Sequence, residues 1–171
     1  MLPGWSRLFL QNSMDHRGTP AAPGRVVTLV RPGLDLDMAA QGAALRAHAT
    51  AGVNGVVYRV ADADAAAVLA NLDFREKGGY TRDVVEVTPV EAGRPAVRAL
   101  LYTANPDNPH FSPPASLEAT AAVIAEAVGP SGDNAYYLLQ LAAFLESVGE
   151  RDEHVEGLAA LVRRSQQAGA Q

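Results

Sequence analysis

Residues 71–80 read Asn-Leu-Asp-Phe-Arg-Glu-Lys-Gly-Gly-Tyr, and they mark the point where a helical pattern gives way to strands. The apolar residues at helical spacing before this point are Ala66, Val68, Leu69, Leu72 and Phe74, and Asp62 or Asp64 can cap the helix. The two glycines allow the backbone to bend sharply. Glu76 is therefore predicted to lie on the last helical turn. Because the helix dipole favours cations there, Glu76 is either part of a solvated helix end, offset by Arg75 and Lys77, or a functional carboxylate.

Strand patterns surround this bend, and helical patterns follow them. We predict strands over residues 5–11, 25–30, 54–60, 80–90 and 96–103. Three helices are predicted to begin at Ser116, Asn134 and Asp152. The inner face of the last helix is predicted to carry Val155, Leu158, Leu161 and Val162. Residues 33–52 form either a short helix or an inserted loop. The order predicts an α+β domain over residues 1–171, with about five strands in a curved antiparallel or mixed sheet flanked by helices.

The composition excludes several functional classes. The chain has 171 residues and no cysteine, which excludes a thiol nucleophile, cysteine-ligated zinc and disulfides, and suits a reducing cytoplasm. The net charge of −5 comes without a basic stripe, so we expect no nucleic-acid partner. No apolar run approaches the roughly 18 residues of a membrane span. We therefore expect a soluble, cytoplasmic protein.

Several short blocks, taken in order, resemble one known family. They are residues 11–20, 23–30, 55–59, 72–80, 107–109, 129–132 with Asn134 and Tyr137, and 152–154. Together they are similar to the signature of ChaC-type γ-glutamylcyclotransferases, over nearly the whole chain. The resemblance implies a partial-barrel fold and a lyase that converts glutathione into 5-oxoproline and cysteinylglycine. In such enzymes the amine of the substrate attacks its own side-chain carbonyl, so the resemblance implies no metal and no cofactor.

The resemblance also implies site residues. Glu76 matches the acid/base position of the family and is expected to move the proton. Tyr137 is expected to line the substrate pocket, although its spacing from Leu138 and Leu141 alone predicts ordinary packing with the hydroxyl at the surface. Arg17 is expected to bind a carboxylate of glutathione, because a guanidinium grips a carboxylate through two hydrogen bonds. His16 is a weaker candidate for a general base, since its charged neighbours suggest a structural network.

Other patterns predict no further site. His48, His110 and His154 are far apart and lack the spacing of metal ligands. Residues 129–134 (Gly-Pro-Ser-Gly-Asp-Asn) are glycine-rich but lack the Lys-Ser/Thr ending of a phosphate loop, so they are interpreted as a helix stop and turn.

One departure from the family affects the expected activity. Relatives carry a strand and a Tyr-Gly-Ser-Leu loop upstream of the block that begins near Pro3, and that tetrapeptide is absent from this sequence. We therefore expect an N-terminally truncated domain with weak or absent activity. Its exposed strand edge would leave it either monomeric or weakly self-associating. The alternatives are a non-catalytic protein that binds a γ-glutamyl compound or a protein partner, or a true start upstream of Met1.

Overall fold

The computed structural model describes residues 1–31, 52–76, 79–104, 106–113 and 115–169. Its strands are β1 (Ser6–Ser13), β2 (Gly24–Val30), β3 (Tyr80–Val87), β4 (Val97–Ala104), β5 (Val128–Gly129) and β6 (Gly132–Asp133). Its helices are α1 (Asp62–Arg75), α2 (Leu117–Glu126), α3 (Asn134–Ser147) and α4 (Glu153–Gly169). The α+β prediction is confirmed, and most of the predicted elements begin within two residues of the observed ones.

The strands form three antiparallel pairs within the described residues. The first pair runs from Ser6 opposite Val30 to Ser13 opposite Gly24, with an irregularity between Leu8 and Gln11. In the second pair, Tyr80 faces Ala104 at one end. The short third pair is a tight hairpin where the sequence predicted only a turn.

The two longer pairs pack together through an apolar cluster and a hydrogen bond. Leu29 of β2 and Val85, Val87 and Leu101 of the second pair pack against Leu2, Trp5 and Val53. The amide of Ala104 donates to the Thr28 hydroxyl over 3.0 Å. This packing holds the second pair against the first.

The strand predicted over residues 54–60 is wrong. This segment forms no strand in the structure, and Val56, Val57 and Tyr58 are largely exposed. Only Val53, just before it, makes an isolated bridge, with Leu2. A strand needs a neighbouring strand for its backbone N–H and C=O groups, and residues 54–60 pair with no strand among the described residues.

Helices α2, α3 and α4 enclose the main core with the inner face of β1. Phe9, Ile124, Leu138 and Leu158 are among its fully buried members. The Ser116 hydroxyl accepts from the amide of Ala119 at 3.1 Å, and the Asp152 carboxylate accepts from the amide of Val155 at 3.1 Å. Both predicted caps are therefore confirmed. The predicted inner face of α4 is confirmed as well, since Val155, Leu158 and Val162 are buried and Leu161 packs against them.

Helix α1 differs from the other three helices because it buries no residue. Its N-cap position is Ala61, which makes no side-chain hydrogen bond, so the predicted cap by Asp62 or Asp64 is wrong. Both aspartates lie in the first turn, where they interact favourably with the helix dipole. Asp73 ties the helix to the second strand pair, because its carboxylate accepts hydrogen bonds from Arg82 and from the Tyr102 hydroxyl.

A buried ionic network joins β1 to the connection between α3 and α4. The Arg7 guanidinium contacts Asp152 at 2.7 Å and Glu150 at 3.3 Å, and it also donates to the carbonyl of Asn54 at 2.7 Å. The three charged side chains are nearly enclosed, with exposed fractions of 6%, 11% and 10% for Arg7, Asp152 and Glu150.

Among the described helices, none is both long and apolar enough to cross a bilayer. The predicted helix or loop over residues 33–52 lies outside the described residues except for Gly52.

Candidate active site

Glu76 occupies the bend that the sequence predicted. It is the C-cap of α1, its amide donates to the carbonyl of Leu72 at 2.8 Å, and its side chain is half-buried. Gly79 follows with a φ of +98°, a conformation that side chains other than glycine rarely adopt. Strand β3 then starts at Tyr80, whose amide donates to the carbonyl of Glu76 over 3.4 Å. The helix end and the strand start are therefore held together around Glu76.

Tyr80 connects this bend electrostatically to other polar groups. Burial raises the pKa of the Tyr80 phenol, and the charges of Glu76, Tyr137 and Asp15 raise it further. Such effects fall with distance, so these groups face one region of the molecule. The residue has a neutral hydroxyl at physiological pH and belongs to the candidate site. It lies in the block that carries the family resemblance, but no local pattern in the sequence singles it out.

Tyr137 projects from α3 toward the backbone of β2. Its hydroxyl accepts from the amide of Val27 at 3.4 Å, and its ring meets the Phe9 ring edge-on at 6.1 Å between centroids. Burial raises the pKa of the Tyr137 phenol, partly opposed by the Val27 hydrogen bond and by the charges of Arg17 and Arg7. The sequence left open that Tyr137 simply packs with its hydroxyl at the surface. Its hydrogen bond with the amide of Val27 does not fit that alternative. The hydroxyl lies between α3 and β2.

Arg17 lies over the Tyr137 ring, with its Cζ atom 5.4 Å from the ring centroid. Its Nη1 atom donates to the carbonyl of Ser131 at 2.7 Å, and its backbone amide donates to the Ser13 hydroxyl at 2.9 Å. The structure therefore brings Arg17 and Tyr137 into contact, and Glu76 is related to them by the electrostatic effect that Glu76 and Tyr137 both exert on the pKa of Tyr80.

His16 has a structural environment. Its Nδ1 atom is 3.0 Å from the Ser131 hydroxyl, and its carbonyl accepts from the Ser131 amide at 2.9 Å. These bonds fasten the loop before β2 to the β5–β6 hairpin. Of the two roles considered from the sequence for His16, these bonds favour the structural network over the general base.

Three glycines allow that loop and hairpin to interlock. A Cβ atom on Gly129 would collide with the carbonyl of His16 and the amide of Gly18. A Cβ atom on Gly18 would collide with the amide of Gly24. Backbone therefore packs directly on backbone beneath Arg17.

Asn134 fixes the orientation of α3 relative to β2. Its side-chain oxygen accepts from the amide of Arg25 at 2.6 Å, and its side-chain nitrogen donates to the carbonyl of the same residue at 2.7 Å. The side chain is fully buried. The sequence indicated Asn134 as the start of a helix and as part of the family resemblance. It did not indicate the bond to Arg25, because a hydrogen bond to a residue more than a hundred positions away leaves no local pattern.

A cavity lies elsewhere in the described part of the chain. It has a volume of about 370 Å³ and is lined by the facing ends of α3 and α4, including Leu145, Glu150, Arg151 and Val155. None of the residues around Glu76 and Tyr137 lines it. Within the described ranges, no three His, Asp or Glu side chains are arranged to hold a metal ion.

Comparison with known proteins identifies relatives along nearly the whole chain. The family model described as ChaC-like protein matches residues 1–165. Gamma-glutamylcyclotransferase 2-3 of Arabidopsis thaliana is 37% identical over 168 residues, which are 95% of this chain and 76% of the plant protein. Glutathione-specific gamma-glutamylcyclotransferase 1 of Homo sapiens is 37% identical over 159 residues, which are 91% of this chain and 64% of the human protein. The chain thus spans about two thirds to three quarters of the length of these relatives.

A solved structure has a similar fold. The crystal structure of a yeast gamma-glutamyl cyclotransferase specific to glutathione superposes with a TM-score of 0.79 at 30% sequence identity. The superposition covers 95% of this chain and 85% of the yeast chain. The bend, the two longer strand pairs and the helical layer therefore belong to an architecture already known in an enzyme.

Proposed function

This chain belongs to the ChaC-like protein family, and from that premise we propose that it is a glutathione-specific γ-glutamylcyclotransferase. The observation that carries the proposal is the match, along most of the chain, to several relatives that bear this name, at 32–37% identity. Glutathione is the substrate, and 5-oxoproline and cysteinylglycine are the products. The enzyme is a lyase that takes part in glutathione breakdown.

The reaction needs positioning and one proton relay. The free α-amine of the γ-glutamyl group attacks the carbonyl carbon of its own side chain, and a C–N bond closes a five-membered ring. The bond from that carbon to the cysteine nitrogen then breaks. The proton lost by the attacking amine is gained by the leaving nitrogen, so atoms and charges balance without an added reactant. Folding the glutamyl group into an attack geometry supplies much of the rate, as in other intramolecular reactions.

Glu76 is the proposed carrier of that proton. Its carboxylate accepts from the attacking amine and then donates to the leaving nitrogen, which is general base and general acid catalysis by one group. Its position at the end of α1, half-buried and within electrostatic range of Tyr80, supports this role. The Tyr80 phenol is protonated at physiological pH, and burial raises its pKa further, so it is suited to donate a hydrogen bond to the developing oxyanion.

Tyr137 and Arg17 are the proposed substrate-binding residues. The Tyr137 hydroxyl accepts from the Val27 amide, so its own proton can be donated to the γ-glutamyl group. Nη1 of Arg17 is engaged by the Ser131 carbonyl, and the rest of this five-donor guanidinium is directed to a carboxylate of glutathione. Phe9 and Arg17, packed against the Tyr137 ring, hold this tyrosine in place.

The test compares the wild-type chain with Glu76→Gln in an assay of 5-oxoproline release from glutathione. Glutamine preserves the shape of glutamate but cannot carry the proton, so turnover should fall by about 10²–10⁴-fold. The melting temperature should stay unchanged, because Glu76 is only half-buried. Wild-type turnover in Glu76→Gln would refute its role as proton carrier. If the wild-type chain binds glutathione but releases no 5-oxoproline, the non-catalytic binding function replaces the enzymatic one.

A further inference from the structure

Among the described residues, the bend that carries Glu76 is in contact with a side chain from a distant part of the sequence. At Gly79, a Cβ atom would meet the side chain of Asn108, with only 2.5 Å to its Cγ atom. The amide group of Asn108 therefore occupies the space that any other residue at position 79 would need. Gly79 lies between Glu76 and Tyr80 in the sequence, so the side chain of Asn108 contacts the backbone that links these two residues.

Asn108 is itself held firmly. Its side-chain nitrogen donates to the Oε1 atom of Gln11 at 3.0 Å, and its side-chain oxygen accepts from the amide of His110 at 2.8 Å. Asn108 and Gln11 are 5% and 4% exposed, which makes their mutual hydrogen bond a buried one. Since Gln11 belongs to β1, the contact joins the bend at Glu76 to the strand that packs against the main core.

The turn that carries Asn108 is bonded to the same strand on both sides of Gln11. The amide of Asn12 donates to the carbonyl of His110 at 2.8 Å, and the amide of Ser112 donates to the carbonyl of Leu10 at 2.7 Å. These bonds pair the turn with β1 in an antiparallel bridge between Gln11 and Phe111. Asn108 cannot shift without breaking several of them.

Helix α1 gives the bend little support of its own. It buries no residue, and its ionic contact through Asp73 to Arg82 is about half exposed on both sides. A half-exposed ion pair contributes little to rigidity. The contact with Asn108 therefore ties the bend at Glu76 to β1, and β1 in turn packs on Tyr137 of α3 through Phe9.

We propose that Asn108, anchored by Gln11, is a positioning residue that sets Glu76 against the substrate by packing on Gly79. The inference rests on the proposed cyclotransferase function. Asn108 acts through the backbone of Gly79 and does not touch the substrate. Its loss should leave binding intact, because Arg17 and Tyr137 are held by other contacts, and should reduce the chemical step.

The kinetic test uses Asn108→Ala on the full chain with glutathione as substrate. A misplacement on the order of 1 Å can cost about 10²-fold in rate, so kcat should fall by about that factor with KM nearly unchanged. Aspartate has the same shape as asparagine, so in Asn108→Asp one carboxylate oxygen can still accept from the His110 amide. The side-chain amide of Gln11 can rotate by 180° and donate to the other oxygen. This conservative variant should recover at least about tenfold of the loss.

Two further variants separate positioning from general destabilisation. Thr120→Ala removes a buried side chain from α2, far along the chain from the bend, and should lower the melting temperature without changing kcat. Gln11→Met removes the acceptor for Asn108 while keeping the volume on β1, and should lower kcat with KM unchanged even if Asn108→Ala does not fold. A wild-type kcat in folded Asn108→Ala, or in Gln11→Met, would overturn the inference.

A second readout does not depend on activity. Hydrogen exchange at the amide of Tyr80, which donates to the carbonyl of Glu76, should become about tenfold faster in Asn108→Ala and stay unchanged in Thr120→Ala. A wild-type chain without 5-oxoproline release would refute the proposed function, and the exchange measurement would still decide whether Asn108 holds the bend. Unchanged exchange at Tyr80 would reject the positioning role in either case.

Discussion

At the scale of single residues, Arg17 combines a structural contact with a proposed binding role. It covers the Tyr137 ring and donates to the Ser131 carbonyl, and both interactions orient its guanidinium. A hydrogen bond to a charged group contributes about 1.5–3 kcal/mol, so Arg17→Ala should raise KM for glutathione by about 10–100-fold and change kcat much less.

Steady-state kinetics test this prediction, with Arg94→Ala as the matched control. Arg94 pairs with Glu91 at the β3–β4 turn and is 70% exposed, so its loss should leave both constants unchanged. A defect in Arg17→Ala that is confined to kcat would contradict a role in binding the ground-state carboxylate.

At the scale of elements, Arg7 holds β1 to the connection between α3 and α4. Removing it leaves Glu150 and Asp152 buried without their cation. Arg7→Ala should therefore lower the free energy of unfolding by about 3–5 kcal/mol. The matched control is Arg31→Ala, which breaks an ion pair with Asp83 whose partners are 42% and 30% exposed. The cost of that change should stay below about 1 kcal/mol.

Urea unfolding followed by circular dichroism measures both variants. If Arg7→Ala and Arg31→Ala lower the free energy of unfolding equally, the buried network stabilises the protein no more than the exposed ion pair does, and the prediction is wrong.

At the scale of the whole molecule, the second strand pair carries exposed apolar side chains on one face. Val84 and Leu100 are cross-strand partners and are 57% and 45% exposed. Apolar side chains beside a strand edge promote pairing with another chain. We propose weak self-association there, so the sedimentation coefficient should rise with protein concentration, and Val84→Lys combined with Leu100→Lys should abolish the rise.

Val148→Lys provides the control for this prediction, because Val148 is similarly exposed, at 53%, but lies at the end of α3. This variant should associate like the wild type. A wild-type sedimentation coefficient that is independent of concentration would leave the protein a monomer and refute the proposed contact.

The sequence predicted best what depends on near neighbours. The caps at Ser116 and Asp152 and the inner face of α4 are confirmed, because each is a pattern within a few residues. The strand over residues 54–60 was wrong because strand formation requires a partner that local composition cannot reveal. At the candidate site, the bend at Glu76 followed from the adjacent glycines. The contact of Asn108 with Gly79 could not be predicted, because it joins positions far apart in the chain.

The interlocked glycines beneath Arg17 affect how a mutational survey of this protein should be interpreted. Any side chain at Gly18 or Gly129 would force apart two backbones that touch, so activity would disappear at positions with no functional group at all. In a scan scored only by activity, such positions would be indistinguishable from Glu76. Abundance measured alongside activity separates them, because glycine variants deplete the protein itself whereas Glu76→Gln leaves a full complement of inactive molecules.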